Sequence, residues 1–351
     1  MLATNKHAII EGQYLRDILD QPRALAATLE RLEISRELSV LGRRLREGAI
    51  KRAVLTGMGA SFYALYPLFL QLNANGYAAF AVETSELVHS LDRWLDPETL
   101  IVAVSQSGQS AEMVRLIEHN RGRAPIVGVT NVADSPLASQ ADATILTMAG
   151  KEYSVSCKTY VTALMALYLL GGFLCGRDSS QTREELAQIV PAGVSYLREW
   201  KNHISEMTGE LERINHLFLL GRGESLAACG AGALIIKESV RLHAEGMSGA
   251  AFRHGPLEMV NADTFAVILA GAQSTTTLQS RLLDDICKAG GKTSWIDEDA
   301  SLGAWNLPKS PAGVRHILEI LPVQMMTLAL AANAGIEAGR FARIPKITTV
   351  E

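Results

Sequence analysis

Only four cysteines, Cys157, Cys175, Cys229 and Cys287, occur in 351 residues, and no two of them form a C-x-x-C pair. That spacing offers neither a zinc centre nor a disulfide framework, so a reducing, cytoplasmic setting is expected. Charge of one sign is lacking too. The net charge is −4, with nothing to draw nucleic acid or an anionic membrane. The one basic cluster, Arg43, Arg44, Arg46, Lys51 and Arg52, reads as a solvated helix end whose cations complement the dipole. No apolar signal segment opens the chain. The uncharged run Tyr160 to Gly176, 17 residues, is at the lower limit for crossing a bilayer and reads as a buried core helix. Two glycine turns, Gly57-Met58-Gly59 and Gly221-Arg222-Gly223, lack the third glycine of a dinucleotide fingerprint, because Phe62 and Leu226 stand in its place. That excludes a nicotinamide-dependent enzyme.

What is present fits two domains, since 48% hydrophobic residues can fill two cores. Helical patterns cover residues 8 to about 32, broken near Pro22, and about 36 to 46. Short apolar strands recur at 53–56, 78–82, 100–104, 126–130 and 144–147, with helical patterns between most of them, which means a parallel sheet covered on both faces. A polar stretch from Arg177 to Gln181 reads as the start of a linker, and the pattern then repeats with a strand at 216–220. Gly57, Gly59 and Ser61 each lie 164 residues before Gly221, Gly223 and Ser225, and the same spacing sets Ile101–Ser105 opposite Phe265–Leu269. Matching spacings at two separate strands argue for two copies of one fold.

The copies differ where it matters chemically. In the first, the strand ending at Val104 runs into Ser105-Gln106-Ser107-Gly108-Gln109-Ser110 and then turns helical. Such a break offers backbone N–H groups and a positive helix end to an anion. No lysine stands in the loop, so neutral hydroxyls and backbone donors suit a small phosphomonoester better than a triphosphate. A plain capping serine would be the bland reading. The 164-residue spacing sets Leu269-Ala270-Gly271 against Ser105-Gln106-Ser107, so only the first copy is expected to hold the anion. The second copy carries Lys237-Glu238, His243-Ala244-Glu245 and His254-Gly255-Pro256, and a histidine followed by Gly-Pro reads as a turn residue. Taken singly, each of these has a structural explanation, as does Lys346 near the end.

Taken in order, these segments resemble the sugar isomerase (SIS) domain family, and within it the isomerase half of the glutamine–fructose-6-phosphate amidotransferases. The matching residues are Gly57-x-Gly59-x-Ser61, Ser105 to Gly108, Gly150-Lys151-Glu152 with Val155, Gly221-Arg222-Gly223, Lys237-Glu238, His243-Ala244-Glu245, His254 to Leu257 and Lys346 with Thr349-Val350-Glu351. The resemblance implies an α/β fold of two tandem SIS domains, each a doubly wound, flavodoxin-like parallel sheet flanked by helices. It suggests an N-terminal helical segment (1–32), a phosphate-binding domain (33–176), a linker (177–195), a domain with the acid/base residues (196–335) and a tail carrying Lys346 (336–351).

The same resemblance assigns Ser105, Gln106, Ser107 and Ser110 to the phosphate of a sugar, with Ser61 and the backbone near Val155 touching the sugar. Glu238 would be the base moving a proton between C1 and C2, and His254 would assist ring opening from the neighbouring subunit of a homodimer. Lys346 would form a Schiff base with the open ketose. The chemistry suits these roles: an enclosed carboxylate can titrate near its working pH, histidine exchanges protons near neutrality, and a buried amine turns nucleophilic. No metal or cofactor is expected.

Three departures separate the chain from the synthase reaction. It opens on helices, with Leu2 after Met1 where the family has its cysteine nucleophile. Ile235 stands where a second lysine is expected, and Ala342 where an arginine is. The expectation is a phosphosugar isomerase or aminosugar-phosphate deaminase acting on a hexose or amino-hexose 6-phosphate, with a fructosamine-6-phosphate deglycase as the alternative. A non-catalytic phosphosugar-binding regulator is the rival, but no recognition-helix segment with basic residues is found. Lys151, Tyr153, Cys157, Ile235 and Met247 are the candidates for specificity.

Overall fold

A computed structural model describes residues 8–341, 343 and 346–348. The chain forms two compact units that interleave along the sequence. One comprises residues 23–151, 158–187 and 343–351; the other comprises 1–22, 152–157 and 188–342. The polar stretch after Arg177 is largely helical, Ser179–Ala187, and the Arg177 guanidinium holds Glu185 at 2.8 Å.

The first unit is built on β1 (Arg52–Gly57), α1 (Ala60–Ala64), β2 (Ala78–Glu83), β3 (Thr99–Val104), α2 (Ala111–Asn120), β4 (Ile126–Thr130), β5 (Ala143–Leu146) and α3 (Lys158–Leu174). The strands are all parallel in the order β2-β1-β3-β4-β5, the flavodoxin-like arrangement. Every residue of β3 is buried, as a central strand covered on both faces demands. On one face Val54, Ile101, Ala103 and Ile126 pack with Met113 and Leu116 of α2. The uncharged run read as a core helix is α3, and all but one of its 17 residues are buried. The basic cluster is solvated as expected: Arg43, Arg44 and Arg46 close the last turn of the helix Arg36–Arg46, and Lys51 pairs with Glu98 at 2.6 Å.

The second unit contains β6 (His216–Gly221), α4 (Leu226–Val240), β7 (Ala244–Ser248), α5 (Gly249–Arg253), β8 (Thr264–Leu269), α6 (Gln273–Lys288), β9 (Lys292–Ile296) and α7 (Ile320–Ala334). Its order, β7-β6-β8-β9, repeats the first four strands of the other sheet. Phe218, Ala266 and Ile268 pack with Phe252, Leu282 and Ile286 in its core. The segment Ala312–Ala334 is long and apolar enough to cross a membrane, yet 89% of its 18-residue apolar window is buried in the protein.

One correspondence drawn from the sequence is corrected by pairing register. Thr56 faces Ala103 across β1 and β3, whereas Leu220 faces Ile268 across β6 and β8. The 164-residue spacing of β1 and β6 therefore becomes 165 at β3 and β8, because one extra residue lies between the paired strands of the second copy. The counterpart of Ser105-Gln106-Ser107 is Ala270-Gly271-Ala272, not Leu269-Ala270-Gly271. Ladder bonds agree: the Ser105 N–H donates to Val129 O, and the Ala270 N–H to Ile296 O. Two strands carried no sequence signal, β7 and β9.

Candidate active site

In the first unit β1 is flanked by β2 on one side and β3 on the other, so the chain leaves the carboxyl ends of β1 and β3 in opposite directions. Open α/β sheets bind ligands at such a point. Gly57 ends β1 where a Cβ would stand 2.9 Å from the Val104 carbonyl oxygen, so the two strand ends approach too closely for any side chain there. Gly59 follows with φ +54°, and α1 begins with Ala60 and Ser61. The Ser61 N–H donates to Met58 O at 3.1 Å, and its side chain is half-buried.

The loop after β3 is organised by its own hydroxyls. Ser105 Oγ accepts from the Gly108 N–H at 3.1 Å and Ser107 Oγ from the Gln109 N–H at 3.3 Å. The Gln106 carbonyl accepts from the Asn131 N–H at 3.1 Å. Gly108 has φ +63°, and a Cβ there would lie 2.2 Å from Ser135 Oγ, so backbone and packing both require glycine. Ser105 and Ser107 are only 7% and 6% exposed. Ser110 occupies the N-cap of α2 but its hydroxyl makes no capping bond, which removes the bland reading for that serine.

The first free N–H of α2 is occupied from the far end of the chain. Ala111 N–H donates to the Thr348 carbonyl at 3.2 Å. Lys346 is half-buried and two residues from Thr348, so its Cα lies within about 7 Å of that anchor. This unit thus gathers Ser61, Ser105, Gln106, Ser107, Ser110 and Lys346. Ala342 and the ending Thr349-Val350-Glu351 lie outside the described residues, as does Leu2.

The second unit holds Glu238, His254 and Val155. Glu238 is half-buried in the last turn of α4. Near it stands Tyr14, from the helix Gln13–Leu19, a residue that no sequence pattern singles out. Complete burial pushes the Tyr14 phenol well above its ordinary range, and the charges of Cys157 and Glu238 push it further. Val155 is buried in a segment tied down at several points: Asp17 Oδ2 accepts from the Tyr153 N–H at 2.9 Å, and Ser154 Oγ donates to Gly339 O at 2.6 Å. His254 is exposed and caps α5, its N–H donating to Ala251 O at 3.0 Å, in the turn expected of it. Among the specificity candidates, Lys151 and Tyr153 are exposed, Met247 is half-buried, and Cys157 and Ile235 are buried.

The position equivalent to Ser61 is Ser225, and its surroundings are different. Ser225 is buried and donates through Oγ to Glu319 Oε1 at 2.8 Å, whereas the Ser61 hydroxyl makes no such bond among the described residues. Burial lifts the Glu319 carboxyl to about 7, against the Ser225 hydrogen bond and the nearby His316, which pull it down.

A profile of the SIS domain family matches residues 49–171 and 210–294. The chain is 30% identical over 348 residues to the isomerizing glutamine–fructose-6-phosphate aminotransferase of Pyrococcus horikoshii, covering 96% of this chain and 57% of that protein. It therefore spans little more than half the length of this curated relative. Among solved structures, the C-terminal domain of glucosamine-fructose-6-phosphate aminotransferase from Francisella tularensis superposes with a TM-score of 0.84 at 22% identity, covering 94% of this chain and 98% of that one. Glucosamine-6-phosphate deaminase from Thermotoga maritima gives 0.78 at 18% identity, covering 97% and 100%. At those identities the structures show a shared fold.

Proposed function

The chain belongs to the SIS domain family, and from that premise we propose that it shifts a proton between C1 and C2 of a hexose or amino-hexose 6-phosphate, as a phosphosugar isomerase or aminosugar-phosphate deaminase. One observation carries the reading. At the carboxyl ends of β1 and β3, buried hydroxyls shape a lysine-free loop whose last serine leaves its side chain uncommitted at a helix start. That arrangement suits a phosphomonoester.

In this reading Ser105, Gln106, Ser107 and Ser110 take the phosphate, Ser61 and the backbone at Val155 take the sugar, and Glu238 is the base. Lys346 holds the open-chain carbonyl. His254, exposed at the end of α5, reaches the active site of a second protomer in a homodimer. Ile235, only 1% exposed, leaves an apolar position where a second lysine would serve the synthase reaction. The reaction so assigned runs in the cytoplasm without nucleic acid, membrane or cofactor.

The test is turnover of glucosamine 6-phosphate, fructose 6-phosphate with ammonia, and fructosamine 6-phosphates by the purified protein. At least one should react, and failure of all three overturns the proposal. Glu238→Gln should lower kcat at least about a thousandfold while phosphosugar affinity stays within about tenfold, the pattern of a group acting only in the transition state.

A further inference from the structure

The second copy lacks the hydroxyl loop, yet it carries a cationic cavity of its own that is only partly neutralised. A hollow of about 380 Å³ is lined by Arg222 of the β6–α4 turn, Arg253 at the end of α5, and Arg281, Lys288, Asp284 and Asp285 on α6. Arg253 is paired with Asp285. Arg222, Arg281 and Lys288 have no ion pair among the described residues, so Asp284 is the one carboxylate left to face three cations. Arg222 is the most constrained of them. Gly223 beside it has φ +58°, and the Arg222 Nε is buried without a hydrogen-bond partner among the described residues. A buried guanidinium N–H without an acceptor is costly, and a set of like charges around one hollow adds repulsion, in a chain that is net acidic.

The geometry points to a second anion site in this cavity, distinct from the serine loop, that takes a phosphorylated small molecule. Guanidinium forks match phosphate oxygens two at a time, which hydroxyls and backbone donors do not. The volume lies in the range of small-molecule pockets and is far larger than a bare phosphate needs, so the ligand carries an organic part as well.

Calorimetric titration tests this in a Ser105→Ala/Ser107→Ala background, where the serine loop is silenced and the outcome is independent of the proposed reaction. Inorganic phosphate should still bind there, and glucosamine 6-phosphate should bind more tightly. Arg281→Ala, at an exposed position of α6, should weaken both at least tenfold, as should Arg222→Ala. Asp284→Asn should strengthen both, a gain that an impaired fold cannot produce. Absence of binding in that background, or isotherms unchanged by Arg281→Ala and Asp284→Asn, would overturn the site. Equal affinity for the two ligands would overturn its assignment to an organic phosphate.

Discussion

The loops that follow β3 and β8 start from equivalent strands and end at equivalent helices, but one has six residues, 105–110, and the other three, 270–272. In the short loop α6 begins almost at the strand end, behind Ala272, which has no side chain to offer. In the long one the chain has room to fold back on its own hydroxyls and to present Ser110 ahead of α2. The two serines after β1 and β6 repeat the contrast. Ser61 keeps its hydroxyl, while Ser225 commits its own to a buried carboxyl. One fold, duplicated, thus carries a hydroxyl-shaped loop in one copy and an arginine-lined hollow in the other. A parallel sheet fixes where a site can be; the length and chemistry of the loop decide whether there is one.

The largest effect that would break this comparison is expected at Gly108. Gly108→Ala forces a positive φ on alanine and drives its methyl group into Ser135, so chemical denaturation should show a loss of about 3 kcal/mol or more and phosphosugar binding at the serine loop should disappear. Gly223→Ala meets open space at φ +58° and should cost only about 1 kcal/mol.

Next comes the acid of the second copy. With a folded-state value of about 7 against an ordinary 4.5, Glu319 keeps its proton in the folded protein where the unfolded chain has already lost it. Its contribution is therefore most favourable below pH 4.5, declines as pH rises to about 7, and is flat above that. Glu319→Gln should gain roughly 3 kcal/mol over the wild type at pH 8 and little at pH 4, measured by urea unfolding at both.

Smaller effects sharpen the contrast between the loops. Ser105→Ala should weaken sugar-phosphate binding about tenfold by titration, roughly 1.4 kcal/mol. Ala270→Ser should create no binding, because its loop is too short to wrap an anion. Smallest is Ser110→Ala, which should change stability by less than about 0.5 kcal/mol because no cap is lost. Ser135→Ala, by contrast, removes a cap on the Ala138 N–H and should cost about 1 kcal/mol.

Much of this was legible in the residues. The parallel sheet and the serine loop were readable because Leu100 to Val104 of β3 is an apolar run and six Ser, Gln and Gly residues interrupt the pattern after it. The strand β7, Ala-Glu-Gly-Met-Ser, and β9, Lys-Thr-Ser-Trp-Ile, were not, since neither carries an apolar run or a clean alternation. The 165-residue register of β8 was hidden because length arithmetic cannot see one extra residue between strands. Tyr14 and Asp17 gave no signal, because their importance comes from partners more than a hundred positions away.

The interleaving of the two units has a practical consequence for anyone dissecting the chain. The backbone passes from one unit to the other at five points, after residues 22, 151, 157, 187 and 342. No single cut releases either half complete. A fragment beginning at Gln188 leaves behind Asp17 and the Tyr153–Ser154 strap that it holds, and one ending at Ala187 loses the Thr348 carbonyl from the start of α2. Split halves should regain native order only when mixed, or when the missing pieces are spliced on by rearranging the order of the chain.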